Sequence, residues 1–256
     1  MFTGSRNVTI NGGHFEVTQH IYDSDPVIHL QRASALNALY SSQDHLPLPE
    51  AQSGTVQAVL KWFSSPESKP LLLLHGSSQR VRLAIACALV EKGRERRWFA
   101  AGFFFNSFRD NCKSAERLVP TIATQLAENI LGFSESLPEF DRRDLSIIQR
   151  SPLATQVDQL VIEPLRNLEA TVHGPFLIII NALDKCAKED RREILTQISR
   201  IVHAHQGLLR FVVLTSGMER LFNEPEFGSI AFALTIPDGM STEPSTYREK
   251  MDLAAD

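Results

Sequence analysis

The chain has 256 residues, 43% of them apolar and 22% charged, with a formal net charge of −4. That is the composition of a globular domain with a substantial core, and its slight acidity gives no global attraction for nucleic acid. No apolar run approaches the roughly 18 residues of a membrane span, and the N-terminus lacks the basic-then-apolar order of a secretory leader.

Residues 1–20 read as a leader with a β-hairpin. In "NVTINGGHFEVT", Val8 and Ile10 alternate, Asn11-Gly12-Gly13 forms the turn, and Phe15 and Val17 resume the alternation. A hairpin folded on itself is the simpler reading. The alternative is a self-stacking strand in which Asn7 and Asn11 form ladders. Residues 21–53 hold a short helix over 28–40 and a Pro/Ser-rich linker over 41–53.

From residue 54 to 236 the pattern changes. Val56, Val59, Leu60 and Phe63 share a helical face that ends before Pro66. Leu71 to Leu74 is wholly apolar, as in a strand buried on both faces of a parallel sheet. Helices over 79–93, 114–130, 154–168 and 188–205 then alternate with strands over 98–106, 175–181, 208–216 and 229–236. This order predicts an α/β fold, a three-layer domain with a mainly parallel five-stranded sheet and right-handed crossovers. Residues 237–256 form a polar tail.

Strand, short polar loop and helix over Leu71–Gly93 have the layout of a phosphate-binding loop of the form G-x-x-x-x-G-K-[S/T]. In that loop, backbone amides at a helix N-terminus hold the phosphates, the lysine reaches their oxygens and the hydroxyl holds Mg²⁺. With Gly76 as the first glycine, the frame runs Gly76-Ser77-Ser78-Gln79-Arg80-Val81-Arg82-Leu83. Val81 stands for the second glycine; a positive φ there would strain a β-branched residue by about 1–2 kcal/mol or more. Arg82 keeps the lysine's charge on a wider planar fork. Leu83 offers no oxygen to Mg²⁺.

The strand "FLIIIN" ends on Asn181 where a metal-ordering Asp is expected, and Lys185 stands where a catalytic acid would follow. Asp184 remains, and Gly217 takes the place of an arginine after Ser216.

The segments "LLLLHGSS", "AAGFFFNSFRDN", "RLVPTIATQLAE", "IEPLRNL", "FLIIINALDKC", "REILTQI" and "LRFVVLTS" together resemble the fungal NACHT family of signal-transduction NTPases, STAND proteins that include the nephrocystin-like N-terminal type. The resemblance covers nearly the whole chain to about residue 236 and implies a P-loop NTPase-like fold. Members of that family would read G-P-x-G-x-G-K-S over Gly76–Leu83, D-G-L-D-E-C over Asn181–Cys186, and S-R-P from Ser216. Of the family's functional positions, Gly76, Asp184 and Ser216 match.

Three readings of the loop follow, in order of preference. It is a structural turn; or it binds an anion, ATP or GTP weakly through Gly76, Ser77, Ser78, Arg82 and Asp184; or it hydrolyses nucleotide. The first makes the protein a non-catalytic, pseudo-NTPase signalling or interaction module. It then has no catalytic residues, metal ligands or cofactor, and its partners are proteins or its own copies, not nucleic acid or membrane. The second makes it a conformational switch with little or no hydrolysis.

His75 reads as a packed or hydrogen-bonded residue. His203 and His205, two apart on a helix, point different ways. Glu189, Asp190, Arg191 and Arg192 read as a solvated helix start, Lys92–Arg97 as a solvated helix end, and Phe103–Phe105 as core. Cys87, Cys112 and Cys186 are too scattered for a disulfide framework or zinc site, which fits a reducing, cytoplasmic location.

Overall fold

A computed structural model describes residues 8–11, 14–17, 47–107, 112–138, 148, 150–168, 172–205, 207–217 and 224–237. The predicted helix over 28–40, residues 41–46 of the linker and the tail beyond Pro237 lie outside the described residues, as does Asn7, on which the laddering alternative depends. The hairpin pairs β1 (Val8–Asn11) with β2 (His14–Val17), antiparallel, with Asn11 opposite His14.

The remaining strands are β3 (Leu71–His75), β4 (Phe99–Phe104), β5 (Phe176–Asn181), β6 (Leu209–Thr215) and β7 (Ala231–Thr235). They form one five-stranded sheet in the order β4-β5-β6-β3-β7, every pair parallel. The longer helices include α1 (Ser53–Ser64), α2 (Gln79–Glu95), α3 (Leu118–Asn129) and α5 (Lys188–Ala204). Between the last two lies α4, which runs through Leu153–Val157, a wide π-type stretch Asp158–Ile162, and Glu163–Leu168. This is the three-layer α/β architecture with a parallel five-stranded sheet that the sequence predicts. The first sheet strand, β3, lies between the fourth and the fifth, so the loops after β3, β5 and β6 come together at one edge.

Wholly apolar strands drive the layering, because side chains alternate between two covered faces. Leu71, Leu73, Ile178, Ile180, Phe211 and Val213 pack beneath α3, α4 and α5. Leu72, Leu74, Ile179, Val212 and Leu214 meet Ile85 and Leu89 of α2 and Val59 and Phe63 of α1 on the opposite face.

The edge strand β4 is sealed by α3. The Gly102 amide donates to Gln125 Oε1 (2.8 Å), Gln125 Nε2 donates back to the Gly102 carbonyl (2.9 Å), and Asn129 Nδ2 donates to the Ala100 carbonyl (3.0 Å). The two side chains stand in for a missing neighbouring strand.

Some boundaries differ from the sequence expectation. The helix predicted over 114–130 opens as a 3₁₀ turn, Ala115–Arg117, before α3. Gln52, in the predicted linker, is buried, and its Nε2 donates to the Pro237 carbonyl (2.9 Å). The start of α5 is not a merely solvated helix end. Asp190 Oδ2 accepts from the Ala115 amide (3.2 Å), while Arg192 pairs with Glu224 and Glu226. Arg210, an unexpected cation in β6, is buried. Its Nη1 donates to the Trp62 and Phe63 carbonyls (2.7 and 3.0 Å), satisfying the end of α1, and its guanidinium lies over the Trp62 ring at 5.7 Å.

Candidate functional site

Gly76, Ser77 and Ser78 carry the chain from β3 into α2 at the C-terminal edge of the sheet, the usual place for ligands in such folds. Ser78 is the N-cap, and its Oγ accepts from the Val81 amide (3.3 Å). This revises the strain expected at Val81. The helix has already begun at Gln79, so Val81 is a first-turn helical residue, and among the described residues the positive-φ non-glycine ones are Arg97 and Ala182.

Gly76 is glycine for a different reason from phosphate approach. A Cβ there would meet Ile236 Cβ at 2.9 Å, because the chain after β7 passes alongside, with the Ile236 amide donating to the His75 carbonyl (2.7 Å).

Arg82 turns inward. It is 2% exposed, and its Nη1 donates to the Gly76 carbonyl and to the Ser77 carbonyl (3.1 Å). Its Nη2 lies 3.5 Å from Asp184 Oδ1, on a carboxylate only 9% exposed. Burial pulls the Arg82 pKa below the ordinary arginine value, against the opposing pull of Asp184. The same Asp184 oxygen accepts from the Ser216 amide (3.1 Å), at the end of β6. Lys185 Nζ lies 3.8 Å from Asp184 Oδ2.

The structure therefore brings Gly76, Ser77, Arg82, Asp184 and Ser216 into one cluster, with Ser78 serving as the helix cap beside it. Arg191 fixes the Asp184 turn by donating from Nη2 to the Asp184 carbonyl (2.6 Å) and from Nε to the Cys186 carbonyl (3.0 Å). Sequence reading missed Arg191's part, although its spacing on α5 places it one helical turn beyond the loop it holds.

At this edge of the sheet, the buried Arg82 Nε, Asn181 Oδ1 and Thr215 Oγ1 have no hydrogen-bond partner among the described residues. Asn181 ends β5 on the same sheet face as Ile179, toward α2. Next to it Ala182 has φ of 58°, a left-handed conformation usually given to glycine. Gly217, after β6, has φ of 65°, so its backbone suits glycine where an arginine was looked for.

His75 Nε2 pairs with Thr235 Oγ1 (2.6 Å). His203 Nδ1 meets the Ser199 carbonyl (2.7 Å) and His205 Nε2 the Ile162 carbonyl (2.9 Å), so they face different partners. Among the described residues no three His, Cys, Asp or Glu side chains gather where they could hold a metal. The Cys186 thiol is pushed up to about 12, first by burial and then by the Asp190 carboxylate.

Residues 55–216 match the family described as nephrocystin 3, N-terminal. The chain belongs to this family. The nephrocystin-type match runs from the first turn of α1 to Ser216 and so takes in every residue of the cluster. None of the curated proteins matches the chain in sequence.

Among solved structures, the nephrocystin-type chain is similar to Cdc6p from Pyrobaculum aerophilum, with 14% identity, TM-score 0.45, and coverage of 75% of this chain and 48% of that one. It is also similar to the Aeropyrum pernix Orc1 protein in complex with DNA, with 15% identity, TM-score 0.45, and coverage of 86% and 52%. A third is Drosophila ORC bound to DNA, with 15% identity, TM-score 0.43, and coverage of 90% and 37%. The chain thus spans about half the length of the first two.

The cluster does not fit a magnesium-bound polyphosphate. Arg82 is spent on the loop's own carbonyls, Leu83 packs at the α1–α2 layer, and Asn181 brings no charge. In the described residues no helix is long and apolar enough to cross a membrane.

Proposed function

We propose that this nephrocystin-type domain is a non-catalytic NACHT-like module of the STAND type, a pseudo-NTPase that acts as a signalling or interaction protein. The observation that carries the reading is the inward Arg82 guanidinium, bonded to Gly76 and Ser77 and paired with Asp184. A cation engaged this way would have to leave two carbonyls and a buried carboxylate before it could meet a phosphate. Without an oxygen at Leu83 or a charge at Asn181, nothing there neutralises the leaving phosphate in hydrolysis.

Protein partners or self-association in a cytoplasmic, fungal setting suit this reading. Nucleic acid does not: the net charge is −4, and in the basic cluster Arg94 and Arg96 lie over the Phe99 and Trp98 rings.

The second reading, a weak ATP or GTP switch, draws on the capped start of α2 and the charge of Arg82 at the sheet edge. Calorimetry with ATP·Mg²⁺ and GTP·Mg²⁺ separates the two. The first reading expects no heat of binding and no phosphate release at about 1 mM nucleotide, a concentration that detects any site of millimolar Kd or tighter. Saturable binding would favour the switch, and steady turnover would remove both.

A further inference from the structure

We propose that the Arg82 side chain is the resident ligand of this site, a built-in guanidinium that cross-links three strand-end loops. The proposal deepens the non-catalytic reading of the same site and rests on it. The β3–α2 loop supplies two acceptors, the carbonyls of Gly76 and Ser77. The turn after β5 supplies the Asp184 carboxylate, and that carboxylate in turn holds the Ser216 amide at the end of β6.

A guanidinium has a rigid planar fork, so its two terminal nitrogens address carbonyls on one side and a carboxylate on the other. An ammonium concentrates its donors at one point and cannot span both. Arg82 and Asp184 are 2% and 9% exposed, so water competes little for the contact. The second cation, Lys185, is 37% exposed and stands 3.8 Å from the other oxygen, a screened partner that does not close the loop. Arg191 fixes the same turn through the Asp184 carbonyl, leaving the carboxylate to Arg82, Lys185 and Ser216.

Truncating Arg82 would leave a small pocket bordered by two carbonyls and a buried carboxylate. That set of acceptors selects a small molecule bearing a guanidinium group.

The test is chemical rescue in the full-length chain. Arg82→Ala should lower Tm by about 10 °C, the loss expected when a buried pair loses one partner. Methylguanidinium chloride at about 20 mM should then restore about 4 °C, as for a ligand of about 1 mM Kd. Wild-type protein should not respond to it, and tetramethylammonium chloride at equal strength should restore nothing. A variant with wild-type Tm, or a loss recovered equally by both salts, overturns the proposal.

If Arg82→Ala does not fold, Asp184→Asn reads the same cross-link. Its Tm should fall by several degrees, with faster amide exchange at Ser216 and in the Gly76–Ser78 loop together; unchanged Tm and exchange overturn the proposal. ATP·Mg²⁺ binding by wild type that Arg82→Ala abolishes would make Arg82 a phosphate ligand and overturn both the non-catalytic reading and the cross-link. Binding that coexists with specific rescue would remove the non-catalytic reading and leave the cross-link standing.

Discussion

Arg82 and Asp184, one on α2 and the other in the turn after β5, face each other across the edge of the sheet with Nη2 and Oδ1 3.5 Å apart. Neither residue gains much from a surface-type ion pair; the pair matters because both are buried. Its weight comes from the hydrogen bonds around it, which satisfy two loop carbonyls and the Ser216 amide. The loops after β3, β5 and β6 are thereby held together by the protein's own side chains.

Gly76 is expected to be intolerant of any side chain whether or not a nucleotide binds. Gly76→Ala places a methyl 2.9 Å from Ile236 Cβ, an atom fixed to the backbone. The cost should be about 1–3 kcal/mol, as for overpacking in a filled core. Urea unfolding measures it, and Ile236→Ala in the same chain should relieve part of the added loss. An unchanged midpoint for Gly76→Ala would show that the chain after β7 yields.

At Ala182 the expected sign is opposite. A left-handed L-residue costs about 1–2 kcal/mol, and glycine there gives back about 0.5–1 kcal/mol through unfolded-state entropy. With φ at 58°, Ala182→Gly should therefore stabilise the fold by roughly 0.5–1 kcal/mol. Chemical denaturation of the two proteins decides, and a destabilised variant would place the methyl's packing above the backbone strain.

Gln125 is expected to be worth more than a typical polar residue on a helix. Its amide satisfies both the donor and the acceptor of Gly102 on the open side of β4. Gln125→Ala leaves two buried backbone groups without partners, at about 1–3 kcal/mol each. Loss of stability together with a greater tendency to aggregate, followed by light scattering, is the expected result. Full stability would mean that the β4 edge needs no seal.

Cys186 gives stability a pH dependence. Its folded-state pKa is raised from 9.0 to about 12, by burial first and by Asp190 second. The native state therefore keeps its proton where the unfolded chain has released it. The contribution is complete below about 9 and is lost as pH rises toward about 12. Wild type should lose stability between about pH 9 and about pH 12 more steeply than Cys186→Ala, because only wild type carries this linkage. Parallel slopes would remove it. Since Cys87, Cys112 and Cys186 are all buried, a thiol reagent at neutral pH should modify them slowly in the folded chain and quickly in urea.

Much of the fold was legible in the sequence. "LLLL", "FLIII" and "FVVL" read as strands covered on both faces, and the helices between them carried their apolar faces at helical spacing. The candidate site was legible as a set of residues, since Gly76, Ser77, Arg82 and Asp184 do come together. Their roles were less so. Val81 was read in the frame of a wrapped loop, while Ser78 starts the helix early and puts Val81 inside it. The acids and bases at the start of α5 looked solvated, but Asp190 and Arg191 hold neighbouring backbone. A charge pattern along one helix does not show which loop packs against it.

By itself the sequence determined the layers of this protein and the chemical groups at one edge of its sheet. Apolar periodicity and residue type are local properties, and they act on the chain before any distant contact exists. The tertiary structure alone decided that Arg82 points inward to Asp184, that Gly76 is crowded by Ile236, and that Ala182 takes the left-handed conformation. Each depends on segments far apart in the chain meeting within a few ångströms, and the crossing order of the strands, not the composition of any one stretch, sets those meetings.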